Sequence, residues 1–312
     1  MLRIKVSSPC KINLHLSVGG RRADGYHDLE SIFQVLDFGD TLGFELLEED
    51  GVCEILVDSA LPQGGIPAEP NIVRQAVSLF RRRTGFNRGI RVSRDKRVPL
   101  GGGLGGGSST AAAALGALDL LAGAGLPPAE LRDMALRLGS DVPFFLADAP
   151  GEGPGRLGRG GAAWVGGRGE RIVPLETPRP WPAVLVNPGF PSPTGEAFRR
   201  LDAQRGGGGG GNAGPGREAL IKALEAGPGD WPFWNDFFPV LGAGEGAYGR
   251  IISALRDSGA AFAGLSGAGS TCFGVFTDAG EAERAARLLA DRWIFVCMTF
   301  FLARSAFRVV QC

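Results

Sequence analysis

At 312 residues the chain is long for one domain and short for three, so two domains are expected. It is 44% apolar, enough for a sizeable core, and its 33 basic residues are matched by 33 acidic ones. That balance gives no reason to expect nucleic acid or an anionic membrane as partner, and no apolar run approaches the ~18 residues a membrane span needs. The five cysteines, odd in number and without C-x-x-C, argue against a disulfide framework or zinc site and suit a reducing cytoplasm.

Ile4, Val6, Ile12, Leu14 and Leu16 alternate with other residues, which reads as strand, turn, strand over residues 1–18. Asp24-Gly25 marks a polar turn, and residues 31–38 and 41–58 carry further strand pattern. A helix is expected over 71–84, where Ile72, Val73, Ala76, Val77 and Phe80 share a face and Asn71 is a fitting N-cap. A strand over 89–98 leads into a glycine loop. Helices follow over about 110–122 and 128–138. Residues 150–169 are glycine-rich and polar, and the domain boundary is placed there, between 1–155 and 156–312. Beyond it come strands near 172–175 and 183–186, a low-complexity loop at 206–211, and helices at 217–226, 246–258 and 279–291. A strand, glycine loop and strand occupy 261–276, and the apolar tract 293–303 is expected to form a buried strand.

The loop Pro99-Leu100-Gly101-Gly102-Gly103-Leu104-Gly105-Gly106-Gly107-Ser108-Ser109 has six glycines in eleven residues and opens a helix. Glycine lets backbone N–H groups come close to a ligand, and the helix start adds unpaired donors and partial positive charge. Together they make a phosphate cradle, with Ser108 and Ser109 able to cap the helix or reach phosphate. A dinucleotide fold needs an acidic residue at the end of the next strand, but the nearest candidate, Asp119, falls inside the expected helix. A Walker loop needs Gly-Lys-Ser/Thr, and the chain has no Gly-Lys pair.

Asp141, between a helix end and the apolar run Val142-Pro143-Phe144-Phe145, sits where a lone carboxylate is costly without a partner. Lys11, one of four lysines in an arginine-rich chain, is the candidate partner. Its ammonium would keep Asp141 charged and could polarise a hydroxyl. In Arg22-Ala23-Asp24-Gly25-Tyr26-His27, Tyr26 can stack on a base and His27 can hydrogen-bond one.

The glycine loop resembles the second motif of the GHMP kinases, P-x-x-x-G-L-G-S-S, with two extra glycines. Ser8-Pro9-Cys10-Lys11-Ile12-Asn13-Leu14 resembles their N-terminal motif, with Cys10 in place of alanine, and Leu265-Ser266-Gly267-Ala268-Gly269-Ser270 their C-terminal one. The expanded loop and the R-A-D-G-Y-H string resemble the branch acting on a cytidine diphosphate conjugate of methylerythritol. The resemblance implies an α+β fold in two domains, the first ribosomal-S5-like and the second ferredoxin-like, with the site in the cleft between them. It implies a small-molecule kinase using ATP with Mg²⁺ and acting in the cytoplasm as a monomer or weak homodimer. Lys11 and Asp141 are then the catalytic pair. The loop 99–109, with Asn71 and Lys96, holds ATP. Asn13, Tyr26, His27 and Thr194 hold the substrate, and no protein residue is assigned to metal.

Overall fold

The computed structural model describes residues 3–59, 61, 72–146, 161–176, 179–206, 214–242, 246–303 and 309–311. Its frame is a long antiparallel hairpin of β1 (Arg3–Arg21) and β2 (His27–Leu47). β1 is one strand rather than the expected strand–turn–strand. Pairing slips between Pro9 and Lys11, and again between Asn13 and His15. Proline has no N–H to give the ladder, so a bulge forms there instead of a turn.

The slip has a large consequence, because side chains alternate faces along a strand. Ile4 and Val6 enter the core under the helices, whereas Cys10, Ile12 and Leu14 enter a different core on the other side of the sheet. The single alternating face read from the sequence is therefore split in two. Lys11 and Asn13 come onto the helix side, where the cavity lies.

β3 (Cys53–Ser59), α1 (Ile72–Thr84) and β4 (Gly89–Lys96) follow, with β4 antiparallel to β2 and β3 parallel to β4. The helices α2 (Gly106–Ala122), α3 (Pro128–Leu138) and α4 (Val142–Leu146) cover one face of this sheet. The alanine run 111–114 of α2 is wholly buried, since small side chains let the helix lie close to its neighbours. The hairpin β5 (Ala162–Gly167) and β6 (Arg171–Leu175) pairs with the first half of β2. The expected division at 155/156 lies outside the described residues. By hydrogen bonding, 162–175 is part of the first sheet: β6 is the strand expected near 172–175, while β5 falls in the stretch up to 169 that its glycines had marked as polar and as the domain boundary.

β7 (Pro182–Asn187) starts the second unit, followed by α5 (Thr194–Gln204), α6 (Arg217–Ala226), α7 (Phe238–Gly242) and α8 (Ala247–Asp257). Then come β8 (Phe262–Leu265), β9 (Cys272–Val275), α9 (Ala279–Ala290), β10 (Phe295–Phe300) and β11 (Val309–Gln311). The second sheet has the order β10-β7-β9-β8 with every pair antiparallel, which is the ferredoxin-like arrangement. α8 and α9 cover one face, and the other packs Leu185, Phe273 and Val275 against Ile12, Leu14 and Ile32 of the first sheet. β11 returns to pair with β1. The two-domain α+β reading of the sequence matches this architecture. The glycine run at 207–211 lies outside the described residues.

Candidate active site

The glycine loop crosses from β4 to α2 and is pinned at three backbone points. Ser192 N donates to Gly101 O at 3.1 Å, Thr271 N to Gly102 O at 3.1 Å, and Lys11 N to Leu104 O at 2.9 Å. Gly103 has φ +75°, and a Cβ there would lie 2.1 Å from Ser266 O, so this glycine is demanded by contact with the C-terminal motif. Gly107 is the opposite case: a Cβ there would meet no atom within 4 Å.

α2 begins at Gly106, earlier than the expected start near 110, and its N-cap Gly105 supplies no side-chain cap. The first N–H groups of the helix are thereby left to a ligand, with the helix dipole behind them. Ser108 lines the cavity. Ser109 does not. It is fully buried, accepting from Ser8 Oγ at 3.0 Å, because one further step around the helix turns it into the core. The expected phosphate contact of its hydroxyl is corrected accordingly.

Lys11 is 3% exposed and reaches up from the bulged strand. Its Nζ lies 3.5 Å from Asp141 Oδ2, 2.6 Å from Asn13 Oδ1 and 3.3 Å from Gly103 O, and 4.5 Å from the centre of the Phe33 ring. Burial pushes its pKa down, opposed by the nearby Asp141 charge. Asn13 is itself fixed, since its Nδ2 donates to Ser31 Oγ at 3.0 Å and its backbone N–H to Ser266 Oγ at 3.2 Å. Asp141 stands in the tight link between α3 and α4, its side chain 29% exposed. One wall of the pair is thus closed and one faces the cavity. That cavity, about 420 Å³, also takes in Phe33, Thr194, Phe198 and Gly267, a volume suited to a small molecule.

Thr194 opens α5 at the cavity edge. Tyr26 stands apart: it is 54% exposed at the β1–β2 turn, with the Arg168 guanidinium 3.6 Å over its ring. His27 is buried against α5, stacked on Phe198 with centroids 4.9 Å apart and bonded through Nε2 to Asp202 Oδ1 at 2.8 Å. Phe198 and Asp202 escaped the sequence reading, which expected no helix over 194–204. The apolar spacing of Ala197, Phe198 and Leu201 after Pro193-Thr194 was the available signal.

Lys96 lies at the rim of the loop, 3.2 Å from Asp40 Oδ2 and donating to Val98 O. Burial pushes its pKa down to about 8. Asp40 is fully buried and also accepts from Arg94 Nη2 at 2.6 Å and from the backbone N–H groups of Arg97 and Val98, each at 2.8 Å. The expected ATP lysine is thus part of the brace that carries β4 into the glycine loop. Asp40 is another residue the sequence reading passed over. Asn71 lies outside the described residues.

Residues 71–148 match the family model of the GHMP kinases N terminal domain, and residues 218–294 that of the GHMP kinases C terminal. The 4-diphosphocytidyl-2-C-methyl-D-erythritol kinase of Treponema pallidum (strain Nichols) is 37% identical over 300 residues, covering 94% of this chain and 97% of that protein. The enzyme of the same name from Burkholderia orbicola (strain MC0-3) is 35% identical, covering 92% and 90%. A crystal structure of 4-(cytidine 5'-diphospho)-2C-methyl-D-erythritol kinase superposes with a TM-score of 0.76 at 32% identity, covering 95% of this chain and 98% of that one. A homoserine kinase from Cytophaga hutchinsonii shares the fold, with a TM-score of 0.67 at 20% identity over 99% and 97% of the two chains.

Proposed function

This chain belongs to the GHMP kinases, and from that premise we infer that it transfers the γ-phosphoryl group of ATP to the 2-hydroxyl of 4-diphosphocytidyl-2-C-methyl-D-erythritol. The products are the 2-phosphate and ADP, in isoprenoid precursor synthesis by the non-mevalonate route. The observation that carries the reading is the Lys11–Asp141 pair, 3.5 Å apart, facing the same cavity as the uncapped start of α2.

Phosphoryl transfer asks mainly for positioning and charge stabilisation. The triphosphate lies along the loop 101–108, its oxygens taking the free N–H groups of α2. The acceptor hydroxyl sits between Lys11 and Asp141. As its oxygen bonds to the γ-phosphorus and the bond to ADP breaks, its proton passes to the Asp141 carboxylate. The Lys11 ammonium, locked by Asn13 and Gly103 O, stabilises charge growing on the transferred group. Mg²⁺ bound with ATP would neutralise part of the phosphate charge. Ser108, which lines the cavity at the start of α2, and ATP's own oxygens would hold it. The reading assigns Tyr26 and His27, which stand outside the cavity lining at the β1–β2 turn, to the cytidine end of the substrate, and Thr194, at the cavity edge, to its middle.

The reading places the enzyme in the cytoplasm as a monomer or weak homodimer. Free thiols at Cys10, Cys53, Cys272 and Cys297 are in keeping with a reducing compartment. Among the described residues no helix is long and apolar enough to cross a membrane.

The test is ATP consumption with Mg²⁺ and four acceptors: the cytidyl-methylerythritol substrate, homoserine, mevalonate and galactose. Turnover with the first alone is expected. Turnover with another acceptor and not with the first would leave the chemistry standing and defeat the substrate assignment.

A further inference from the structure

Asn235 lies in a segment that runs beside β1, bonded to it from Leu16 N to Trp234 O at 2.9 Å and from Asp236 N to Leu16 O at 3.0 Å. Asp236 pins the segment further, its Oδ2 accepting from Val18 N at 2.8 Å and from Arg205 Nη2 at 2.9 Å. Asn235 is 8% exposed and does not line the cavity of Lys11 and Asp141. Its Nδ2 donates to Leu265 O and to Gly267 O, each at 2.8 Å, and its Oδ1 accepts from Phe237 N at 2.9 Å. The two carbonyls stand on either side of Ser266, so one amide grips the C-terminal glycine motif at both ends of a single residue.

Ser266 is wholly buried, and its hydroxyl joins two parts of the site. Oγ accepts from Asn13 N at 3.2 Å and donates to Gly103 O at 2.9 Å. Asn13 and Gly103 are the residues whose oxygens hold Lys11 Nζ, at 2.6 and 3.3 Å. Gly267 closes over the same pair, since a Cβ on it would lie 3.3 Å from Asn13 Oδ1 and 3.4 Å from Gly103 O. A hydroxyl holds its partners only as firmly as its own backbone is held. Displacing a reacting group by about 1 Å can cost about 10²-fold in rate.

We propose that Asn235 is a positioning residue for phosphoryl transfer: by gripping the backbone on both sides of Ser266 it fixes the hydroxyl that sets Asn13 and Gly103, and through them the Lys11 ammonium. The inference rests on the assignment of Lys11 to the transfer step. It adds a residue that touches neither the reacting atoms nor the cavity and acts through the loop it holds. An amide suits this task because one nitrogen carries two donors. A carboxylate of the same shape carries none and would oppose both carbonyls.

Initial rates are measured on the full chain with ATP, Mg²⁺ and the acceptor that the wild type turns over. Asn235→Ala and the isosteric Asn235→Asp should lower kcat about 10- to 10²-fold, with KM for ATP and acceptor changed less than about threefold. Ser266→Ala is a smaller change that leaves the backbone grip intact, and it should lower kcat likewise. The double variant should be little worse than the worse single one, because both act through one hydroxyl. The alkaline limb of the kcat profile is a readout that lost stability alone would not move. Lys11 faces the Asp141 carboxylate from the α3–α4 link and the Cys10 thiol beside it in β1, both unchanged in every variant. With Asn13 Oδ1 and Gly103 O loosened, the ammonium is held less firmly, so the limb should move to lower pH. Asn235 variants that lose stability in urea yet keep the wild-type kcat and alkaline limb overturn the proposal. So does a Ser266→Ala enzyme of unchanged kcat, which decides the matter if the Asn235 variants do not fold. Lys11→Ala separates the two levels. Near-normal turnover there overturns the assignment of Lys11 and the proposal with it, whereas an inactive Lys11→Ala beside Asn235 and Ser266 variants of wild-type kcat overturns the proposal alone.

Discussion

Two glycines of one loop are expected to respond to the same substitution in opposite ways. At Gly103, alanine would have to keep φ near +75° and place its Cβ 2.1 Å from Ser266 O, a backbone atom that no side-chain rotation can move aside. The left-handed conformation alone costs about 1 kcal/mol. Withdrawal of the loop would also loosen the bonds to Gly103 O from Ser266 Oγ, 2.9 Å, and Lys11 Nζ, 3.3 Å, each a contribution of about 1 kcal/mol. Gly103→Ala should therefore destabilise the protein by about 3 kcal/mol, with activity falling as Lys11 shifts. At Gly107 an added methyl meets nothing within 4 Å, and the residue lies in α2. Gly107→Ala should leave stability unchanged or raise it by up to about 1 kcal/mol. The same methyl would stand where the phosphates approach, so KM for ATP should rise about tenfold or more. Urea denaturation gives the first quantity and initial rates at varied ATP the second. A Gly103→Ala protein as stable as wild type would refute the close-approach argument. A Gly107→Ala enzyme with an unaltered KM for ATP would refute the placement of the triphosphate.

Asp141→Asn keeps the shape of the site and removes the proton acceptor, so kcat should fall by at least about 10²-fold while KM for ATP stays near its wild-type value; a variant with near-normal turnover would exclude Asp141 as the base. Asp40→Asn leaves Arg94 and Lys96 without their buried counter-charge and should cost about 3–5 kcal/mol in urea denaturation. A stability near that of wild type would show the brace to be dispensable. His15 is wholly buried edge-on against Trp234, and burial pushes its pKa from 6.5 down to about 4. Between those values the unfolded chain binds more protons than the folded one. This group therefore takes nothing from stability above pH 6.5, and on acidification towards pH 4 it removes about 3 kcal/mol. His15→Phe should lose that part of the acid sensitivity, and an identical pH profile in the variant would contradict the burial argument.

Much of the chain could be read from its residues in order. Amphipathic spacing located the helices at 72–84, 128–138, 217–226, 247–257 and 279–290, because each buries one stripe that repeats along its own sequence. The glycine loop, Lys11 and Asp141 were visible because their chemistry is carried by short contiguous strings. Strands were harder. β5 was hidden by its glycines, and it is a strand only because the first half of β2 offers it an edge. α5 was missed in a stretch rich in arginine and proline, and with it went Asp202 and Phe198.

What residue order alone determined, then, was which groups can do the chemistry and which segments are helical, since both depend on neighbours within a few residues. What only the tertiary structure decided was where those groups point. The bulge at Pro9 turns Lys11 and Asn13 away from the core between the sheets and into the cavity. One step along α2 separates Ser108, which lines that cavity, from Ser109, which is buried against Ser8. Asp202 meets His27 across 175 residues of chain. Each of these outcomes is set by strand register and by packing between distant segments, and such contacts leave no periodic trace in the local sequence.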